Sequence, residues 1–230
     1  MTDRWPKAPP ELIELQRQIG RAKPDPWEPV DRPLVGAVFI CFAQRNNGSG
    51  EKGWAAAVLS FGRRPVSSHV VRGVVDAPYE PGLLALREGP LLEAAVRALP
   101  RCADVLLVNA TGRDHPRRAG LAVQLGWILD VPTVGVTDRP LVAHGKAPRN
   151  ARGASSPLLL DGDVVGHQLR TREATRAVVT HAAWRTDADT ACDVVRRCVR
   201  RARTPEPLRR ARKLARLARA GVVPATDSTF

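Results

Sequence analysis

"ADVLLVNATGRDHPRRAGLAVQLGWILDVPTVGVTD" (residues 103–138) is the stretch whose reading decides the fold. The apolar run inside 103–110 reads as a buried strand. "HPRRAGLAVQLGWILD" (115–130) predicts a helix with proline near its first turn, and "VPTVGVTD" (131–138) a second strand. Strand, helix and strand in this order imply parallel pairing. In open α/β sheets the carboxyl ends of such strands are where ligands bind. A catalytic carboxylate is the usual occupant in α/β enzymes, yet Asn109 stands there.

Outward from this unit, the N-terminal half adds an antiparallel meander. "LVGAVFICFA" (34–43) and "GWAAAVLSF" (53–61) read as strands joined by a turn-rich loop, and "PVSSHVVRGVVDA" (65–77) as a third. "PELIELQRQIGRA" (10–22) places Leu12, Ile13, Leu15 and Ile19 at helical spacing, and prolines at 24, 26, 29 and 33 stop it. Residues 82–99 predict an amphipathic helix that Gly89-Pro90 kinks or interrupts. "PLLLDGDVVGHQLR" (157–170) predicts a hairpin turning at Asp161-Gly162. A strand at 174–182 and helices at 187–203 and 205–220 complete the chain. The expected fold is α/β: a ribonuclease H-like mixed sheet, its antiparallel meander followed by helix-crossed parallel strands, flanked by helices. The expected organisation is an N-terminal helix and proline-rich lead-in (1–33), a single domain (34–222) and a C-terminal tail (223–230).

Composition narrows the partners. The formal net charge is +13, and arginine supplies most of the basic side chains, since the lysines are Lys7, Lys23, Lys52, Lys146 and Lys213. Such an excess makes a polyanion the leading partner, and the planar guanidinium grips phosphate in a bidentate fork. A general arginine bias accounts for part of the same excess. Aromatic residues are only 4%, which argues against extended stacking platforms for single strands. Cys41, Cys102, Cys192 and Cys198 form no C-x-x-C pair and are read as buried free thiols. The polar N-terminus holds no signal-peptide core, so a soluble, cytoplasmic protein without membrane contact is expected.

Several segments together resemble the endonuclease V family, inosine-directed endonucleases of nucleic-acid repair and RNA turnover. "PYEPGLLALRE" (78–88) resembles the family's P-Y-x-P-G-x-L-x-F-R-E. "VNATGRDHPRRAGLAVQLGWILDVPTVGV" (108–136) resembles its V-D-G-H-G-x-x-H-P-R-x-x-G-x-A segment followed by D-x-P-T-I-G-V. "LRTR" (169–172) and "RRCVRRARTPEPLRRA" (196–211) resemble later segments, so the likeness spans roughly residues 34–211, in order. It implies the ribonuclease H-like fold already read from element order. It also implies a wedge at Pro78, Tyr79, Pro81 and Gly82 that enters the duplex beside a lesion. Two prolines stiffen such a wedge, and a tyrosine face fills the gap left by an extruded base. A base and phosphate pocket is implied at Gly112, His115, Arg117, Arg118 and Gly120. The two arginines are read as opening a helix whose N-terminus favours phosphate. Taken alone, these stretches are also consistent with a Pro-Gly turn, a solvated basic turn and a helix-capping histidine.

The same resemblance exposes departures. The family hydrolyses a phosphodiester with a divalent cation held by carboxylates, because magnesium takes hard oxygen ligands. Phe39 in "FICF" stands at one aspartate position and Asn109 at another, while Glu88 keeps its family identity. Thr111 replaces a histidine and Asp138 a lysine. A further histidine aligns loosely with Trp184, near His181. A slipped register could bring in only Asp31. No metal site and no cofactor are therefore expected, beyond weak Mg2+ binding. Four readings stay open. The first is a binder of lesion-containing or distorted DNA or RNA, acting as a monomer, that has lost metal-dependent cleavage. The second is a repair enzyme with metal-independent chemistry through Glu88, Asn109, His115 or Asp114. The third is an ordinary endonuclease V, and the fourth a protein-interaction or biosynthetic role on a reused fold.

Overall fold

The computed structural model describes residues 5–43, 48–62 and 64–228. Part of the predicted turn-rich loop, residues 44–47, lies outside them, as does the very end of the predicted tail. Nine strands form one sheet in the order β6-β7-β8-β5-β4-β1-β2-β3-β9. The meander is β1 (Leu34–Phe42), β2 (Glu51–Phe61) and β3 (Arg64–Val75). β4 (Val105–Val108) lies parallel to β1, and β5 (Thr133–Thr137) parallel to β4. β6 (Ser155–Leu160), β7 (Asp163–Leu169) and β8 (Val178–Ala182) extend the sheet antiparallel. Asp161 and Gly162 both have positive φ, 49° and 86°, which is what a two-residue hairpin turn demands. The mixed sheet and its flanking helices are those expected from element order.

Period-two alternation divides the core between the two faces of the sheet. Leu34, Val38, Ile40, Leu106 and Val108 point to one side, where α1 (Pro9–Arg21), α2 (Leu84–Arg97) and α3 (Leu121–Leu129) pack. Val35, Ala37, Val105 and Leu107 point to the other, covered by α4 (Ala188–Cys198) and α5 (Glu206–Arg219). Leu106 and Leu107, fully buried on opposite faces, each stabilise the sheet by about 2 kcal/mol. In α5, Leu208, Ala211, Ala215 and Ala218 are buried at helical spacing, so most of its arginines are left on the outer side, with Arg212 reaching towards the sheet. Leu12 and Ile19 of α1 join the first core, and Thr226–Asp227 (β9) pairs with β3, so α1 and β9 are both tied into the domain.

Three sequence expectations need correction. The helix expected from 115 begins only at Leu121: residues 116–118 are turns, Arg118 has φ 54°, and Gly120 is the N-cap. Arg117 and Arg118 therefore do not open a helix. Of the kink or interruption expected at Gly89-Pro90, the interruption is absent: α2 runs through both residues. Gly89 is required there, because a Cβ would come within 2.5 Å of the Trp5 ring. Finally, Cys102 is exposed rather than buried, and the four cysteines are free. No helix among the described residues is long and apolar enough to cross a membrane.

Candidate functional site

Asn109 and Asp138 directly follow β4 and β5, and Phe39 lies within the neighbouring parallel strand β1, one residue past its pairing with β4. Val38 is paired with Val108, so Phe39 and Asn109 are adjacent and, by alternation, face α5. From α5, the Arg212 guanidinium lies over the Phe39 ring, 5.1 Å from its centroid, and donates to Asn109 Oδ1 at 3.4 Å. Beside it, Arg203 donates to Asp138 at 2.5 Å and to the Arg176 and Ala177 carbonyls. The cluster is a phenyl ring, a neutral amide and a guanidinium. It does not match the oxygen shell that Mg2+ requires, and the positive charge already present repels a cation. Among the described residues no group of three or more His, Cys, Asp or Glu is placed to hold a metal ion. Asp31 is exposed beside Arg32, before β1 begins, and brings no carboxylate to the cluster.

Glu88 sits on α2, on the other face of the sheet. Part of its surface is exposed, yet burial around the carboxyl pushes it up to about 8, opposed by the Arg87 charge. At neutral pH it holds its proton, so it is a hydrogen-bond donor or acid rather than a base or an anionic ligand. The unfolded chain releases this proton near 4.5 and the folded chain near 8. Stability therefore falls as pH rises between those values, by about 1.4 kcal/mol per pH unit. Glu88→Gln should abolish this slope, so its stability gain over wild type widens from about pH 5 to about pH 7.5 in urea unfolding. A gain that stays constant across that interval would show that Glu88 titrates normally. His115 works in the opposite direction: burial pushes it down to about 4, so its share of stability is lost as pH falls below 6.5.

The segments expected to form a wedge and pocket meet at one carbonyl. Gly82 O accepts hydrogen bonds from Gln16 Nε2 at 2.9 Å, Arg117 Nη2 at 3.1 Å and His115 Nε2 at 3.1 Å. His115 Nδ1 accepts the backbone N–H of Arg117, which leaves the proton on Nε2 and aims it at Gly82. His115 is 2% exposed, so it is committed to this loop. Gly82 itself has φ 81°, a conformation that favours glycine. Pro78, Tyr79 and Pro81 all lie exposed, with Tyr79 at 51%. Arg118 donates to the Leu160 carbonyl and pairs with Asp161 and Asp163, joining the loop to the β6–β7 turn. The space beside Gly112 is filled by the chain: a Cβ would lie 2.0 Å from the Ala182 carbonyl. At Gly120 it would meet Thr111 O at 2.4 Å.

Other residues emerge only from the fold. Arg113 donates to the Gly20 and Ala22 carbonyls and so ties the end of α1 to this loop. Asp114, fully buried, accepts the backbone N–H groups of Leu141, Val142 and Ala143, which commits its carboxylate to shaping the following loop. Burial pushes the neighbouring His181 down and outweighs the pull of Asp114, 3.6 Å away. Trp184 packs in the core, where Gly126 lies against its Cβ. Arg87 is 2% exposed. It pairs with buried Glu51, donates to the Gly48 and Ala77 carbonyls at 2.8 Å, and lies over the Phe42 ring.

Among the described residues the nine-stranded mixed sheet, with helices on both faces, defines a ribonuclease H-like α/β protein. The endonuclease V family profile matches residues 14–213. Endonuclease V of Methanopyrus kandleri is 40% identical over 209 residues, covering 90% of this chain and 87% of its own. The chain belongs to the endonuclease V family. The crystal structure of endonuclease V from Streptomyces avermitilis superposes with a TM-score of 0.85 at 32% identity, over 94% of this chain and 95% of that one. Ciona intestinalis endonuclease V, solved with a 24mer DNA containing an inosine followed by a ribo-adenosine, shares the fold with a TM-score of 0.78. It is 17% identical, and the match covers 93% of this chain and 98% of that one.

Proposed function

We propose that this protein binds nucleic acid at inosine-type or distorted sites, and that it has lost the metal-dependent phosphodiester cleavage of its family. The observation that carries the reading is Arg212 lying against both Phe39 and Asn109, at the two positions where the resemblance expects metal-holding carboxylates. Exposed Tyr79, framed by Pro78 and Pro81 and backed by the Gly82 anchor, supports a wedge. The DNA bound by the Ciona relative and the +13 charge support a nucleic-acid partner. Gly112 and Gly120 act in this reading by letting the loop that carries His115, Arg117 and Arg118 pack closely.

The test is incubation with oligonucleotides containing inosine, uracil, xanthine or an abasic site, in Mg2+ and in chelator. Salt-sensitive binding without product is expected in both. Magnesium-dependent nicking near inosine would overturn the loss of cleavage. A second reading, metal-independent base excision or abasic-site cleavage, is favoured by the protonated Glu88. It predicts product in chelator that Glu88→Gln abolishes.

A further inference from the structure

α5 carries a cavity of about 420 Å³ at the edge of this cluster, lined in part by Arg203, Arg209, Arg212, Lys213 and Arg216. Two of these charges are already answered within the protein. Arg203 pairs with Asp138, and Arg209 with Glu206. Arg212, Lys213 and Arg216 form no ion pair among the described residues, and the buried Nε of Arg212 has no hydrogen-bond acceptor. Burial and the charges of Arg216 and Arg203 press the Arg212 guanidinium towards deprotonation, with only Asp138 opposing them. Concentrated like charge of this kind, on a helix face that opens to a cavity, is relieved by a bound anion.

We infer that this cavity is a metal-independent seat for a backbone phosphate, with the Arg212 guanidinium supplying the positive charge between Phe39 and Asn109 that a divalent cation supplies elsewhere in the family. The Phe39 ring lies beneath the guanidinium and Asn109 Oδ1 accepts from Nη2; with Nε buried, the Nη1–Nη2 edge is the one a phosphate would take. Arg216 and Lys213 add unpaired charge along the same helix face. The inference rests on the nucleic-acid reading proposed above, but it places one phosphate at one named side chain and requires no metal.

The test is fluorescence anisotropy with a labelled inosine-containing oligonucleotide, in chelator, over a series of salt concentrations. Wild type should bind. Arg212→Ala should weaken binding about tenfold and lower the salt slope by about one. Arg212→Lys should keep the slope, because it keeps the charge. Arg101→Ala, on the loop leading into the opposite end of β4, controls for loss of charge and should change affinity by less than about twofold. Wild-type affinity and slope in Arg212→Ala would overturn the inference. If wild type binds no oligonucleotide, the nucleic-acid reading fails, and tripolyphosphate then decides the seat separately. A rise in wild-type Tm in chelator that Arg212→Ala lacks supports the seat, and no rise in wild type overturns it.

Discussion

Arg87→Ala should lower the free energy of unfolding by about 3–5 kcal/mol, a large share of the stability of an ordinary domain. The size follows from what remains. Glu51, 5% exposed, loses the buried guanidinium it pairs with, and the carbonyls of Gly48 and Ala77 lose a donor. The Phe42 ring loses the face of the cation as well. Glu51→Gln in the same background should restore part of the loss, because the broken buried ion pair is its largest component. Urea unfolding of the single and double variants measures this. A loss below about 1 kcal/mol in Arg87→Ala would mean that the pair contributes little.

Putting back both carboxylates, Phe39→Asp with Asn109→Asp, should not by itself create a magnesium site. Both new side chains would lie beside the Arg212 guanidinium and pair with it. Adding Arg212→Ala removes that competitor. The triple variant should then be stabilised by Mg2+, by about 1.4 kcal/mol at tenfold excess over its dissociation constant. Wild type and the double variant should show no such shift in thermal unfolding. Magnesium stabilisation of the double variant equal to that of the triple variant would show that Arg212 is no obstacle.

Much of the fold is legible in local pattern. The β1–β3 meander follows from alternation and turn residues, and the β6–β7 hairpin from Asp161-Gly162. The parallel β4–α3–β5 unit follows from two apolar strand runs flanking a mostly apolar helix. What fails does so where distant parts of the chain decide. Proline at 116 and the following polar residues suit a helix start, but the side chain of Arg118 is drawn to the Leu160 carbonyl and its backbone turns left-handed. Gly89-Pro90 suits an interruption, yet α2 runs on because Trp5 packs against the bare glycine. Among the site residues, Phe39 and Asn109 stand out against a familiar motif. Arg212 does not, because in the sequence it is one arginine among many on an amphipathic helix. Its place appears only when Leu208, Ala211 and Ala215 seat α5 on the sheet. Glu88 and His115 are visible by type, but their protonation is set by burial that sequence does not reveal.

The loop bearing Tyr79 is gripped at both ends: Arg87 holds the Ala77 carbonyl, and three donors from two different parts of the chain hold that of Gly82. Its shape is settled before any ligand arrives. If this loop is the wedge proposed above, binding spends little conformational entropy on the protein side, and the work of recognition falls on the ligand, which must deform to fit. A rigid probe of this kind discriminates by deformability: a site whose stacking is already weakened yields cheaply, while an intact one resists. On that proposal selectivity depends on how readily the nucleic acid opens, and loosening either anchor of the loop should erode selectivity before it erodes affinity.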